Sequence, residues 1–410
     1  MHRILTVAFA ILIAANAVFA TDRFFDDDSA VSPSGKFRLE AKSPDNAGER
    51  RRAFASHFVY SLYEVATNRV LWTHEQPMKK DGDYEFPDGE GSPGGIFLDD
   101  EGRAIVYTGW QELFVLDPKS GKKVFQTKVL EQFTEDERKK YVHDTTAGPM
   151  WTGLSRWSLL TVKSGDISTE YFVIRPYWGR RLILDLTKLV IVGEDKADKS
   201  IVDAAVQADR DWVVGVLSKV GDLPKCGKGD CAPRHEAERA AWLAGILGVK
   251  EAVEPLHKME ADDFSGSSTF SMDGFSRSSR KTRQIVHLSL RRLGEVPHRG
   301  PLLILKSYSD FSANSKHSLE EPKDAPEIGE RAAKASEVKT GIGVTDLLKL
   351  VGEPDYEGKG EDTFDYDMDA TPAFTLRVTL NAKDGTVSKV ERIAPPVWKD
   401  SLERDGQIAH

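Results

Sequence analysis

Three aspartates alternate along one short stretch of the chain, at Asp365, Asp367 and Asp369. This spacing opens the calcium-binding EF-hand loop, which also requires glycine at its sixth position and an acidic residue at its twelfth. Ala370 and Leu376 occupy those two positions, so an EF-hand loop is excluded. The intervening Phe, Tyr and Met residues instead predict a strand with one apolar face and one solvated acidic face, which leaves only weak cation association open.

Two other stretches begin like known chemical motifs and then depart from them. His235-Glu-Ala-Glu-Arg239 lacks the second histidine of a zinc-protease helix, because arginine stands in its place. The glycine-rich segment 89–95 lacks the lysine and the following helix that a phosphate-binding loop requires. We therefore interpret the first as a charged helix start and the second as a loop.

The remaining histidines and the clustered arginines offer no ligand set. Three histidines lie on helices or turns with no spacing for shared ligation: His257, His287 and His298. Four arginines give the helical region a basic face: Arg280, Arg283, Arg291 and Arg292. We interpret that face as solvated or interdomain rather than as an anion site. The sequence therefore predicts no catalytic, cofactor-binding or metal-binding residue, and no cofactor.

The N-terminus has the pattern of a cleavable secretory signal peptide over residues 1–20. Arg3 precedes an apolar run from Ile4 to Ala15, and small residues give cleavage options after Ala17 and after Ala20. An uncleaved anchor helix is the alternative, but the apolar run is shorter than the roughly 20 residues of a bilayer span. We expect export to the periplasm, the cell envelope or the exterior, with no transmembrane segment left after cleavage.

The chain has only two cysteines, Cys226 and Cys231. In an exported protein a close pair is typical of one disulfide, and closing so short a loop stabilises the fold by about 2–3 kcal/mol at most. A zinc site is the alternative, but it needs two further ligands, and His235 is the only histidine nearby. The spacing therefore favours a disulfide between Cys226 and Cys231.

Length and composition indicate a soluble protein of several domains. The chain has 410 residues, of which 40% are hydrophobic and 30% are charged. This length is typical of two to four domains. The net charge of −9 repels phosphate backbones, so we expect no nucleic-acid partner.

Residues 30–190 read as an all-β region. Short apolar runs alternate with turn signals, and Asp117-Pro-Lys-Ser-Gly121 between two such runs predicts a hairpin. The stretches from Phe58 to Trp72 and from Glu112 to Phe125 look like the same unit, and a third candidate runs from Gly148 to Asp185.

These three units resemble blades of WD40-like or quinoprotein-like β-propellers. Three blades are too few to close a propeller, so the region is either a propeller-like sandwich or an incomplete ring. Five tryptophans lie in it: Trp72, Trp110, Trp151, Trp157 and Trp178. We interpret them as core residues rather than as a ligand cage.

Residues 195–310 change to helical periodicity. Apolar residues recur at helical spacing in four successive stripes, three of them followed by Gly221, Gly248 and Gly294 as expected helix ends. The stripes are Val213, Val216, Leu217 and Val220; Ala240, Leu243, Ala244 and Leu247; Val249, Ala252, Val253 and Leu256; and Val286, Leu290 and Leu293.

The stretch Leu243–Leu256 joins small residues, a glycine turn and Ala-Val-Glu-Pro-Leu, and it resembles a HEAT-type repeat of the short bacterial lyase-like kind. Arg283–Leu293 then resembles the first helix of the next unit and Pro301–Leu305 its second. The resemblance covers about residues 200–309 and departs from the family in a serine-rich insertion, Phe264–Ser279. It implies short α-helical repeats that bind proteins.

Residues 311–336 read as a polar linker, and residues 337–398 as a small α+β domain. A helical stripe at 344–351 ends at Gly352, and three strands follow. The run from Val338 to Asp355 is similar to the opening of the SmpA/OmlA (BamE-like) family, whose members are bacterial envelope lipoproteins or exported binding modules. No cysteine lies near the cleavage site, so only the domain type is carried over.

The three regions together predict a multidomain fold: an all-β propeller-like or sandwich domain, HEAT-like helices and a small α+β domain. The expected function is a non-enzymatic scaffold or protein-interaction protein of the cell envelope, with protein partners bound by the helical repeat and the C-terminal module. The alternative is an enzyme or ligand sensor whose site lies on the aromatic-rich β domain. That alternative requires the tryptophans and Arg175 to converge on one open pocket.

Overall fold

The protein is a multidomain α/β chain of antiparallel sheets and helices, seen in a computed structural model. The described residues are 27–46, 57–77, 93–108, 112–145, 148–152, 154–164, 167–223, 232–261, 277–298, 326–352, 354–357, 363–381 and 384–394. Several predicted features lie outside them: the signal peptide with Ala17 and Ala20, Cys226 and Cys231, Trp110, and the helix expected at 301–305. Among the described helices, none combines the length and apolar character that crossing a bilayer requires.

The chain divides into two compact units. Unit 1 contains residues 1–151, 158–173 and 182–196, and unit 2 contains residues 152–157, 174–181 and 197–410.

Unit 1 is built from three four-stranded sheets whose strands follow one another in chain order. The first sheet holds β1 (Asp28–Val31), β2 (Phe37–Lys42), β3 (His57–Glu64) and β4 (Arg69–Pro77). The second holds β5 (Pro93–Leu98), β6 (Ala104–Thr108), β7 (Glu112–Leu116) and β8 (Lys123–Lys128). Helix α1 (Glu135–Tyr141) and the hairpin β9 (His143–Thr145) and β10 (Gly148–Met150) precede the third sheet, which holds β11 (Arg156–Ser164), β12 (Ile167–Arg175), β13 (Leu182–Asp185) and β14 (Val190–Gly193).

The first two sheets share one apolar core. Their inward side chains alternate along each strand, as half-buried strands require. The buried members are Phe37, Leu39, Ala41, Phe58, Tyr60, Leu62, Trp72, Ile96, Leu98, Ala104, Val106, Phe114 and Leu116.

The predicted hairpin between β7 and β8 is confirmed. The carboxylate of Asp117 accepts the backbone N–H of Ser120 at 2.8 Å, and Gly121 takes the positive φ of 65° that closes the turn. Trp72 of the first sheet donates its indole N–H to the carbonyl of Pro118 at 3.0 Å. A tryptophan of one sheet thus packs on the turn of the next.

Unit 2 begins with four helices: α2 (Lys199–Leu217), α3 (Ala232–Leu247), α4 (Val253–Ala261) and α5 (Arg277–Arg292). Gly248 and Gly294, at φ of 65° and 81°, end α3 and α5 as predicted. The expected end of α2 at Gly221 is wrong, because the helix stops at Leu217 and Gly221 lies in a following 3-10 turn.

Helices α3 and α5 pack side by side and run in the same direction. The Thr282 hydroxyl donates to the Glu238 carboxylate, 44 positions earlier in the chain. Gly245 meets Ser289 at the same offset, so closely that a Cβ on the glycine would lie 2.8 Å from the Ser289 Cα. Both contacts join residues 44 positions apart in the chain, and they lie two turns apart along each helix. The two helices are therefore parallel.

The C-terminal part of unit 2 is a small α+β module. Helix α6 (Arg331–Lys334) lies between two 3-10 turns and precedes α7 (Val344–Val351). Strands β15 (Tyr356–Glu357), β16 (Thr363–Met368), β17 (Phe374–Leu380) and β18 (Val387–Ile393) form one sheet in that order. The buried apolar face of α7 and the helix end at Gly352 agree with the sequence pattern.

Part of the segment expected to be a linker is instead packed. Residues 328–337 form helical turns, in which Ile328 and Arg331 are each 1% exposed. The polar composition of this segment suggested a solvated linker, but it contains residues that are buried in the module. Residues 311–325 lie outside the described chain.

The close approach of α3 and α5 predicts opposite effects for two helical glycines. Gly245→Ala places a methyl group against Ser289 and should destabilise the protein by about 1–3 kcal/mol. Gly215→Ala on α2 meets no neighbour within 4 Å and should stabilise it by about 0.5–1 kcal/mol through helix propensity. Urea unfolding of both variants measures the difference, and a neutral Gly245→Ala would contradict the tight packing.

Candidate functional site

Helix α5 carries polar side chains that are almost fully buried. Thr282, His287, Ser289 and Arg291 are at most 4% exposed, although they alternate with the apolar residues of the same helix. Buried polar groups are stable only when they are hydrogen-bonded or paired. The partners of these side chains therefore show which parts of the protein the helix contacts.

The aspartates of β16 are buried, so the predicted solvated face is wrong. All six residues of the strand are buried, with Asp365 at 0% and Asp367 at 2% exposure. Arg377 on the neighbouring strand donates two hydrogen bonds to Asp365, at 2.7 and 2.8 Å. Arg291 from α5 donates to Asp369 at 2.5 Å. Basic side chains from other elements take the place of water.

Asp355 lies where three elements meet. Its Oδ2 accepts a hydrogen bond from Arg331 Nη1 at 2.8 Å and from the backbone N–H of Asp367 at 2.6 Å. Its Oδ1 lies 3.1 Å from His287 Nε2 of α5. We call the whole set the buried ionic network: His287, Arg291, Arg331, Asp355, Asp365, Asp367, Asp369 and Arg377.

The electrostatics of the network favour ionised aspartate. Burial alone would raise the pKa of Asp355, but Arg331, His287 and Arg291 outweigh it and hold the pKa well below its usual range. Burial alone would lower the pKa of Arg291, but Asp369, Asp355 and Asp367 raise it. The opposite charges therefore stabilise one another in a site that excludes water.

His287, Asp355 and Asp367 also have the composition of a metal site, with three ligand atoms within 4.8 Å of one another. However, Arg331 already lies 2.8 Å from Asp355 and supplies the positive charge that a cation would bring. Asp367 also accepts the hydroxyl of Thr375 at 3.0 Å. We therefore interpret the cluster as an ion-pair network rather than a metal centre.

Sequence reasoning missed the network because its members are far apart in the chain. The sequence gives His287 no ligand spacing, and its partner Asp355 is reached only through the fold. The interpretation of the arginines as an interdomain face is supported for Arg291, which pairs with Asp369 of the C-terminal module. Arg292 instead lies over the ring of Trp242, at 4.5 Å.

A second buried cluster in unit 2 surrounds Asp209 of α2. Arg175 and Arg181 donate to its Oδ2 at 2.6 and 3.0 Å, and Arg156 donates to its Oδ1. Arg156 also lies over the ring of Trp212, at 4.7 Å. Arginines from two separate segments of unit 2, residues 152–157 and 174–181, thus pair with one aspartate of its first helix.

Three of the four described tryptophans of the β region are buried, as the sequence predicts. Trp72, Trp151 and Trp178 are 6%, 0% and 8% exposed, and Trp157 is half-buried. Trp151 packs edge-on against Tyr107 and Phe133, with ring centres 5.9 and 5.1 Å away. The buried rings of Trp72, Trp151 and Trp178 therefore fill cores.

Unit 1 contains a pair of adjacent carboxyl groups. Asp99 is fully buried, and Arg103 Nη1 lies 3.0 Å from its Oδ2 and 3.7 Å from Glu170 Oε2. Burial, together with the charge of Asp99, raises the pKa of Glu170 to about 7. One arginine cannot neutralise both carboxylates, so the pair holds a proton near neutral pH.

Comparisons with known proteins leave the chain without an assigned family. No family model matches it, and no curated protein matches it. Among solved structures, it has a likeness to BamB from Moraxella catarrhalis at 8% identity and a TM-score of 0.17. The match covers 39% of this chain and 50% of that chain, so this chain spans only half of the protein it matches. A TM-score this low supports no argument about fold or function.

Removing the central carboxylate should disrupt the buried ionic network. We expect Asp355→Asn to destabilise the protein by about 3 kcal/mol or more, because it leaves buried cations without their partner. Asp346→Asn is the matched control, since Asp346 is 69% exposed and forms a surface ion pair with Lys349 at 3.9 Å. The effect of this substitution on stability should stay within about 0.5 kcal/mol. Chemical unfolding at pH 7 measures both.

The same pair of proteins gives a pH test. The pKa of Asp355 is lower in the folded state than in the unfolded state, where it is about 3.9 for aspartate. The ionised carboxylate therefore contributes its full stabilisation above that unfolded pKa, and the contribution is lost as the pH falls below it. The stability difference between wild type and Asp355→Asn should therefore be constant above about pH 5 and shrink towards pH 2. A difference independent of pH would contradict an ionised Asp355.

Glu170 should respond in the opposite sense. Because its folded pKa is raised to about 7, the folded state binds more protons than the unfolded state between about pH 4.3 and 7, and stability falls as pH rises through that window. Glu170→Gln should remove this loss and stabilise the protein by about 1 kcal/mol at pH 8. Glu135→Gln, 74% exposed, is the control. Equal pH profiles for wild type and Glu170→Gln would refute the proton-holding pair.

Proposed function

We propose that the protein is an exported, non-enzymatic scaffold of the cell envelope that binds protein partners through its helical segment and C-terminal module. The observation that carries this proposal is the parallel packing of α3 and α5 at an offset of 44 residues. Repeats of about 40–47 residues whose equivalent helices stack in parallel are the HEAT-type architecture. Such stacks present a continuous surface that suits extended protein ligands.

The buried ionic network supports a rigid binding platform. His287 and Arg291 of α5 contact Asp355 and Asp369 of the C-terminal module, at 3.1 and 2.5 Å. A module held by buried ion pairs does not behave as a domain on a free linker, because breaking the pairs would strand charges away from water. We propose that the helices and the BamE-like module act together as one surface.

The sheets of unit 1 support a propeller-like addition to this platform. Each is a four-stranded antiparallel meander, the unit from which propeller blades are built. Phe97 of the second sheet and Phe172 of the third pack with ring centres 4.8 Å apart, as side chains of neighbouring blades do. We propose that these three sheets form a propeller-like domain that also binds protein.

The proposal is tested by isolating the tagged full-length chain from its native envelope. We expect N-terminal sequencing to find cleavage after Ala20 or Ala17, and crosslinking with mass spectrometry to find one or two reproducible protein partners. An unrelated tagged exported protein is the control for background capture. Retention of the chain in the cytoplasm would overturn export, and an absence of partners above background would overturn the scaffold.

A variant links the partners to the platform. Asp355→Asn, used at a temperature where circular dichroism shows it folded, should lose crosslinks that map to residues 232–394 and keep any that map to unit 1. Asp346→Asn should keep both sets. Unchanged crosslinks in a folded Asp355→Asn protein would contradict a joint surface of helices and module.

A further inference from the structure

The helical segment of unit 2 brings two histidines into contact. His257 lies on α4 and His298 follows α5, and their imidazole rings have centres 4.4 Å apart, with planes tilted by 36°. The two residues are 41 positions apart in the chain, so no local spacing announces them as a pair. The fold therefore places two nitrogen donors side by side that no sequence motif contains.

Two features of the backbone position this histidine pair. Lys250, just before α4, donates a hydrogen bond to the backbone carbonyl of Leu293 at the end of α5. Pro297 directly precedes His298 and is buried, and its ring restricts the backbone at that point. The start of α4 and the end of α5 therefore meet, and the chain that leaves α5 carries His298 to His257.

A buried carboxylate orients the His257 ring. Glu260, one turn further along α4, is 4% exposed, and its Oε2 lies 3.2 Å from His257 Nδ1. A carboxylate only accepts hydrogen bonds, so Nδ1 donates and Nε2 presents its lone pair. Histidines that bind metal ions in proteins use this arrangement, because the carboxylate fixes the ring and makes the other nitrogen a stronger ligand.

We infer that His257 and His298 form a binding site for a divalent transition-metal ion such as Zn²⁺, with water completing the coordination. Imidazoles bound to one Zn²⁺ through nitrogens about 2.0–2.1 Å from the ion have ring centres roughly 4.5–5 Å apart, close to the spacing of this pair. His298 is exposed and the His257 side chain is 23% exposed, so an ion reaches both rings from solvent. Imidazole nitrogen favours Zn²⁺, Ni²⁺ and Cu²⁺ over Mg²⁺ and Ca²⁺, which prefer oxygen ligands.

The site is tested by isothermal titration of Zn²⁺ into the full chain, produced without a histidine tag. We expect affinity to fall at least about 10-fold in His257→Gln and in His298→Gln, because each substitution leaves a single imidazole. His235→Gln is the matched control. His235 lies 3.4 Å from Glu238 at the same spacing of three residues, but it is not a member of the pair, so this variant should bind Zn²⁺ like wild type.

Electron paramagnetic resonance of bound Cu²⁺ reports the ligands directly. The spectrum of wild type should show coupling to two imidazole nitrogens, and that of each histidine variant to one. Glu260 is a positioning residue, since it contacts His257 rather than the ion. Glu260→Gln should therefore weaken Zn²⁺ binding by about 10-fold and keep the signal of two nitrogens.

His298 is exposed, so His298→Gln should fold like wild type, which circular dichroism and the Tm without metal check. Zn²⁺ should then raise the Tm of wild type and leave that of His298→Gln unchanged. No Zn²⁺ binding, or wild-type affinity in either His257→Gln or His298→Gln, would overturn the site. An equal loss in His235→Gln would overturn it as well, and displacement of Zn²⁺ by an equal concentration of Mg²⁺ would overturn the class of metal.

Discussion

The constraint on which unit 2 depends is the pairing of Asp355 away from water. A buried carboxylate is stable only when its charge is paired and it accepts hydrogen bonds. Arg331 and the backbone of β16 donate hydrogen bonds to Asp355, and His287 Nε2 lies 3.1 Å from it, so three different elements contact this side chain. Each element can move only if the others lose a partner. The helix α5, the short helix α6 and the C-terminal sheet are therefore fixed together by one side chain.

This pairing explains why the acidic strand was misread. Alternation of aspartates with aromatic residues shows that β16 has two different faces, but it does not show which face meets water. The arginine that covers Asp365 lies on the next strand, and the one that meets Asp369 lies on a helix 78 positions away. No local pattern contains that information, because the charges become partners only through the fold.

Features that depend on local backbone chemistry were predictable. The turn of Asp117 and Gly121 requires only a short side-chain acceptor and a positive φ, and both are visible in the residue types. The ends of α3 and α5 at Gly248 and Gly294 likewise depend on a positive φ that glycine adopts readily. The end of α2 was missed, because Gly221 sits in a 3-10 turn that continues past the helix. The parallel offset of 44 residues required the structure, although Gly248 and Gly294 lie a similar 46 positions apart.

The buried arginines of unit 2 differ in whether an aspartate pairs with them. Arg331 and Arg377 each pair with a buried aspartate, so their removal acts on stability first. Arg239 Nε and Arg283 Nη1 are instead shielded from water without a hydrogen-bond partner, which costs free energy. Composition alone cannot make this distinction, because all four are arginines in the same unit. What distinguishes them is whether a carboxylate lies within ion-pairing distance, and only the fold decides that.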